Sequence, residues 1–303
     1  MKVRLIEFVQ EVIEKVTKGD AIKNTTIPKS QIDSFLLKAS KQYDLSEKSS
    51  KRTEVDFFDK VSRMANEEVT IGTPAWELVG GTLYLKGKMY EMEEARGGKH
   101  GYEYSFYDLH QHLRSEGIDA TETGKSVSEN YTKEELEEAA TWIDPEVDFK
   151  QKYLSAVSFM TSYSEIDTKR RRVSLPQERY LTVALFLSQN EEKSKRLERA
   201  KELYWHLINK TLSPATPIMA NANKRHHQLS SCFIDTTDDN LNDIYASNKD
   251  LANVSKYGGG IGVYMGKVRA RGSSIQGVPG VSGGTLPWIK QLNGTAVSVD
   301  QLG

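Results

Sequence analysis

Cysteine is almost absent from this 303-residue chain; there is one, Cys232. A single thiol excludes an intrachain disulfide and any Cys-x-x-Cys metal site, and leaves either a buried small hydrophobe or the redox partner of a cysteine elsewhere. Histidine closes no metal site either, because His110, His112, His226 and His227 lack the spacing of a ligand set. Surplus charge is missing too. With 41 basic and 42 acidic residues the net charge is −1, so any anionic ligand must be held by local groups. No run approaches the ~18 consecutive apolar residues of a membrane span, and the N-terminal MKVRLIEFVQEVIEKV is interrupted by charge too often for a signal peptide. These absences predict a cytoplasmic protein with no nucleic-acid or membrane partner. The length allows one large or two to three modest domains.

What is present in the first two thirds is helical periodicity. Leu5, Phe8, Val9, Val12, Ile13 and Val16 form an apolar stripe, with Gly19 where a C-terminal cap belongs. Pro28 suits the first turn of a second helix carrying Ile32, Phe35, Leu36 and Ala39. A third runs through Val55, Phe58, Val61 and Ala65. Thr73-Pro74 predicts an N-cap and first helical residue for TPAWELVGGTLYLKGKMYEM, in which Gly80-Gly81 marks either close helix packing or a hairpin. Gly97-Gly98 and the polar stretch from Ile118 to Asn130 read as loops. Thr132 and Glu135 have capping-box spacing, Pro176 opens a helix with Tyr180, Val183, Ala184 and Leu187, and Leu197, Ala200, Tyr204, Leu207 and Ile208 stripe another ending near Lys210. Lys169 to Arg172 reads as a solvated loop in preference to a phosphate or partner patch.

From residue 211 the texture changes. Pro214 and Pro217 break helix, and short β-type runs appear at Cys232–Ile234, Ile261–Tyr264 and Gly266–Val268. Thr237-Asp238-Asp239 can cap a helix carrying Leu241, Ile244, Leu251 and Ala252, with Lys256 in its last turn before Gly258-Gly259-Gly260. Alternation of strand and helix argues for an α/β arrangement. The glycines at 260, 262 and 266 do not match G-x-G-x-x-G and follow a helix, so a Rossmann reading fails. The run either stops the helix or lets a ligand approach bare backbone amides. Asp239 and Arg269 form a carboxylate and guanidinium set suited to ribose hydroxyl and phosphate, or to solvent.

In order, TPIMANA, QLSSCF, DDNLNDIY, SKYGGGIGV, KVRARGSSIQG, GGTLPWIKQLN and VDQLG resemble the large, catalytic subunit of class I ribonucleotide reductase over about the last ninety residues. The preceding part is similar to the helical domain before that family's barrel, and TPAWELVGGTLYLKGKMYE to the last helix of its regulatory ATP cone. The resemblance implies an α/β fold: an N-terminal helical domain followed by the first part of a ten-stranded α/β barrel. Its divisions are a degenerate cone-like region over 1–95, a helical reductase domain over 96–212 and the beginning of the barrel over 213–303.

The resemblance further implies an oxidoreductase that replaces the 2′-hydroxyl of a ribonucleotide by thiyl-radical chemistry. Cys232 matches one of the reducing cysteine pair. Thr216, Ser231 and Gly260 match positions lining the substrate site. Asp239, Asn240, Leu241, Lys256, Arg269, Gln276 and Gly277 match the specificity site for a deoxynucleoside triphosphate or ATP, with Lys256 and Arg269 meeting phosphate and Asp239 the sugar; Gln276 stands where some members carry arginine. The basic-glycine motif of a working ATP cone is not visible, which predicts absent or degraded overall control by ATP and dATP. The chain itself would bind no cofactor. It is expected to be the N-terminal piece of a split or truncated reductase, working with a C-terminal portion of the large subunit, a radical-generating small subunit and a thioredoxin- or glutaredoxin-type reductant, in a homodimeric large subunit. The alternative is a catalytically inactive nucleotide-binding regulatory or assembly module.

Overall fold

The first apolar stripe forms α1 (Lys2–Lys18), with Leu5, Val9, Val12, Ile13 and Val16 all buried. The computed structural model describes residues 1–18, 27–49, 52–119 and 126–299, so the cap expected at Gly19 lies outside the described residues. Beside α1 lie α2 (Lys29–Ser49), α3 (Thr53–Glu67) and α4 (Trp76–Met92). Their shared core includes Phe35, Phe57, Phe58, Trp76 and Leu83, and the Phe35 and Trp76 rings sit 4.6 Å apart. Thr73-Pro74 does not start α4. The N-cap is Ala75, because Thr73 is held in the preceding turn, its hydroxyl 2.7 Å from that of Thr70. Gly80 and Gly81 are packing glycines inside the helix. A Cβ on Gly80 would stand 3.0 Å from the Ser62 carbonyl oxygen, and one on Gly81 only 1.9 Å from that of Gln151.

The helical unit continues to Thr211. It adds α5 (Phe106–Ser115), α6 (Val127–Asn130), α7 (Lys133–Ala140), α8 (Tyr153–Ser162), α9 (Pro176–Ser188) and α10 (Arg196–Ile208). The stretch expected to be loop through Asn130 therefore closes with a helical turn, nucleated by the Ser126–Glu129 capping box. The Thr132–Glu135 box forms as expected, and both carboxylate oxygens of Glu135 also accept from Arg196 Nη2, at 2.7 and 2.6 Å, tying α7 to α10. Arg171 and Arg172 are not simply solvated. Arg171 Nε donates to Asp167 at 2.8 Å and Arg172 Nε to the Met160 carbonyl at 2.8 Å, which removes them as a free cationic patch.

α9 is buried nearly all round although it carries Gln177, Glu178 and Arg179, so its polar groups must be satisfied internally. Gln177 Nε2 donates to Asp148 Oδ1 at 3.1 Å and the Tyr102 hydroxyl donates to Asp148 Oδ2 at 2.8 Å. Asp148 lies in the 3₁₀ segment Pro145–Lys150 and is 4% exposed. Burial pushes its carboxyl up to about 7, against the pull of Tyr102 and Gln177, with Glu178 and Asp144 adding to the rise. The folded chain thus keeps a proton that the unfolded chain releases near pH 4, so stability falls as pH rises from about 4 to about 7 and is flat beyond. Asp148→Asn is expected to flatten that slope, as read from urea unfolding midpoints across the interval.

Residues from Leu212 on form the second unit. Its elements are α11 (Thr216–Asn221), β1 (Cys232–Thr236), α12 (Leu241–Lys256), β2 (Gly260–Tyr264) and α13 (Leu286–Ser298). The strands pair in parallel from Cys232 opposite Gly260 to Thr236 opposite Tyr264, with α12 as the crossover. Three local expectations change. Pro217 sits inside the first turn of α11, where its missing N–H costs nothing. The cap of α12 is Asn240, whose Oδ1 accepts from the Asp243 amide at 3.0 Å. Gly266–Val268 is a turn closed by the Val268 amide on the Met265 carbonyl at 3.1 Å, instead of a strand.

Candidate functional site

Two groups of residues gather at opposite ends of the parallel strand pair. At the starting end, Cys232 is exposed, and its sulfur lies 3.5 Å from Ser231 Oγ. Across the ladder the Gly260 amide donates to the Ser231 carbonyl at 2.7 Å. The glycine run serves several ends here. Gly258, at φ +79°, ends α12. A Cβ on Gly259 would meet Val254 and Phe233 at 2.7 and 2.8 Å, whereas one on Gly260 would find only the Ser231 carbonyl, at 3.5 Å. Gly260 therefore leaves open backbone beside the thiol. Thr216 opens α11 and is exposed.

Sequence reasoning missed Asn221, which holds this end together. Its Nδ2 donates to the Gln228 carbonyl at 2.8 Å and to the Tyr257 carbonyl at 3.1 Å. It thereby clamps the chain entering β1 to the end of α12. The signal was available in TPIMANA, which ends with this residue and Ala222.

The finishing end lies about 13 Å away along the strand, at about 3.3 Å per residue. A cavity of about 310 Å³ opens there, lined by Asp239, Asn240, Leu241, Arg269, Ile275 and Trp288 among others. Four expected effector residues are thus brought together. Arg269 and Asp239 are already joined: Nε donates to Oδ2 at 2.7 Å, the Arg269 amide to Oδ1 at 3.1 Å, and Nη1 to the Ser274 carbonyl at 3.0 Å. The Arg269 amide first, then its guanidinium, holds the Asp239 carboxyl below the usual range. Beside them Lys267 Nζ lies 2.6 Å from Asp238, whose hydrogen bond pushes the ammonium up. By donor count the paired guanidinium keeps an N–H on each terminal nitrogen for an incoming oxyanion.

The remaining expected effector residues are placed differently. Lys256 does not join Arg269. It ends the 16-residue α12 that Asn240 begins, about 24 Å of helix at about 1.5 Å per residue, and its ammonium lies 5.3 Å from the Tyr257 ring centre. Gln276 and Gly277 form the two central residues of a tight turn, at φ +50° and +79°, closed by Ile275 and Val278 bonding to each other at 3.0 and 2.9 Å. Two successive positive φ values are the hairpin geometry that glycine accepts freely and glutamine at some cost. The pair shapes the turn that carries Ile275 into the cavity wall. Trp288 of α13 was legible only as part of GGTLPWIKQLN; nothing local marked it as cavity lining.

Among the described residues no helix is long and apolar enough to cross a membrane. The family model for the ribonucleotide reductase all-alpha domain matches residues 149–227, and that for the ribonucleotide reductase barrel domain matches residues 230–303. The chain is 38% identical over 230 residues to the ribonucleoside-diphosphate reductase subunit alpha of Treponema pallidum, covering 76% of this chain and 26% of that one. It is 36% identical over 241 residues to the subunit of the same name from Helicobacter pylori, covering 80% and 29%. With the large subunit from Trypanosoma brucei brucei the identity is 37% over 166 residues, 53% of this chain and 19% of that one. The chain thus spans under a third of the length of these relatives.

Proposed function

The chain belongs to the ribonucleotide reductase large-subunit family, in its N-terminal portion, and from that premise we propose that it supplies part of a ribonucleoside-diphosphate reductase: one reducing thiol, part of the substrate site and an effector pocket. The observation that carries this reading is the exposed Cys232 beside Ser231 and the open backbone of Gly260. A thiol used as a reductant must be reachable by substrate and by a second thiol, and a buried bystander would be neither. In the reaction Cys232 and a second cysteine, from outside this chain, each lose a hydrogen. Two electrons and two protons pass to the nucleotide, the 2′ C–O bond is replaced by C–H, water leaves and a disulfide remains. A thioredoxin- or glutaredoxin-type dithiol restores the pair. Thr216 and Ser231 offer hydroxyl donors to the phosphorylated substrate, and the side-chain-free backbone of Gly260 lets it approach closely, so that local groups hold the anion on a chain of near-zero net charge.

At the other end of the strands the Asp239–Arg269 pair receives a deoxynucleoside triphosphate or ATP. The two uncommitted N–H groups of Arg269 meet phosphate, and Asn240 and Leu241 at the start of α12 complete the wall. The rest of the large subunit completes the barrel, and a radical-generating small subunit is the partner. Exposed Ile234 at 92% and Val297 at 80% are apolar surface that further barrel strands and helices would cover.

The test is reconstitution with a C-terminal large-subunit portion, a small subunit and a dithiol reductant. Cys232→Ser is expected to abolish steady-state turnover while leaving triphosphate binding intact; Arg269→Met is expected to weaken triphosphate binding by about tenfold or more, the scale of one charge-assisted contact of 1.5–3 kcal/mol. Unchanged turnover in Cys232→Ser would overturn its role as a reducing thiol, and no turnover in the reconstituted parent, with triphosphate binding retained, would instead identify a catalytically inactive binding module.

A further inference from the structure

The helical unit holds a second reactive arrangement, where α1 and α4 meet the residues just before the 3₁₀ turn Gly101–Glu103. Lys86 Nζ lies 2.6 Å from His100 Nε2, and His100 Nδ1 lies 2.6 Å from Glu93 Oε1. The carboxylate sets the tautomer: Nδ1 carries hydrogen and donates to Glu93, so Nε2 presents its lone pair and accepts from Lys86. An ammonium and an imidazolium cannot share so short a contact, so the pair holds at least one proton fewer than the two groups would apart. The rings of Phe8 and Tyr90 flank the amine, with Nζ 5.1 and 5.5 Å from their centres, and Tyr90 also packs on His100 at 4.5 Å between ring centres. Burial pushes the Lys86 amine below the ordinary lysine range and nearby Arg4 adds to the effect, while Glu93 and Glu103 pull the other way. Burial and then Lys86 lower His100 as well, with Glu93 and Glu103 opposing.

We propose that Lys86 is an acyl-acceptor site, at which the amine takes an acyl group from a small activated donor, an acyl phosphate or acyl thioester, with His100 receiving the proton and Glu93 orienting the imidazole. The lysine nitrogen attacks the donor carbonyl, a C–N bond forms, and the C–O bond to phosphate or the C–S bond to the thiolate breaks. The proton released from nitrogen passes to His100 Nε2, and the leaving group departs with the bond's electron pair. No oxidant or reductant is needed. His100 and Glu93 are 24% and 35% exposed at their side chains, so the proton can pass on to water and the imidazole is restored. This carboxylate, imidazole and amine relay has the same logic as a base-activated nucleophile.

The experiment treats the full chain separately with acetyl phosphate and with acetyl-CoA near neutral pH and maps acetylation by peptide mass analysis over time. Lys18 and Lys195, whose side chains are 78% and 60% exposed, are the references. Lys86 is expected to label at least ~10-fold faster than either with one of the donors, a modest demand beside the about 10²–10⁴-fold that a positioned general base supplies. Its rate should also level off at lower pH than theirs. His100→Gln should bring Lys86 to the reference rate, and Glu93→Gln should give an intermediate loss. Labelling no faster than Lys18 and Lys195 with both donors overturns the proposal. So does an unchanged Lys86 rate in a His100→Gln chain with the parent's circular dichroism; if that variant does not fold, Glu93→Gln carries the same comparison.

Discussion

Glu178→Leu is expected to lower the unfolding free energy by about 3–5 kcal/mol, the usual cost of removing one partner from a buried ion pair. Arg96 and Glu178 are 2% and 1% exposed, and the guanidinium meets both carboxylate oxygens of its partner. Arg96 also donates to the carbonyls of Val173 and Gly101, each at 2.7 Å, and Glu178 Oε2 accepts from the Leu175 amide at 2.7 Å. Burial pushes the Glu178 carboxyl up and Arg96 pulls it back. A lone carboxyl can shed its charge by taking a proton, but the guanidinium has no such escape, so without Glu178 it stays charged and buried. Urea unfolding should show a lower midpoint with an unchanged slope. The double variant Arg96→Met/Glu178→Leu should recover part of the loss, since no buried charge remains. A loss under about 1 kcal/mol in Glu178→Leu would mean that water reaches the pair.

Gly81→Ala is expected to destabilise the same unit by about 2 kcal/mol or more, or to prevent folding. The added Cβ would lie 1.9 Å from the Gln151 carbonyl oxygen and 2.8 Å from two further backbone carbons, so the chain entering α8 would have to move. The helix propensity of alanine returns only about 1 kcal/mol. Gly294 in α13 supplies the control. Nothing lies within 4 Å of a Cβ there, so Gly294→Ala should raise the unfolding free energy of its own transition by up to about 1 kcal/mol. Effects of opposite sign for one substitution in two helices separate packing from propensity. Equal signs would contradict the close approach at Gly81.

The first three helices were legible because each carries an apolar stripe, and the buried residues of α1 are five of the six named from periodicity; α4, buried nearly all round, has no stripe, and its Gly80-Gly81 left a hairpin open. Caps were less legible. Thr73 and Thr237 to Asp239 are good capping residues that other partners claim: Thr73 by Thr70, Thr237 by Ser247 at 2.7 Å, and Asp239 by Arg269. The pairing of Asp239 with Arg269 spans thirty residues, and no local pattern reports it. Lys256 shows the converse, since likeness of motif grouped it with Arg269 while sixteen residues of helix hold the two ends apart.

By itself the sequence determined the helical character of the N-terminal part, the strand, helix, strand order around Cys232, and membership of a family whose short motifs follow one another in register. These properties are carried by spacing along the chain, which periodicity and motif order record directly. Only the tertiary structure decided that Cys232 is exposed opposite Gly260, that Asn221 clamps the two segments leading to them, and that Asp239 and Arg269 form one wall of a cavity. The same holds for Arg96 with Glu178 and for Lys86 with His100, contacts between helices or between a helix and a loop. Their partners are chosen by how apolar faces pack, and that choice is made in three dimensions, where residues far apart in sequence compete for the same neighbour.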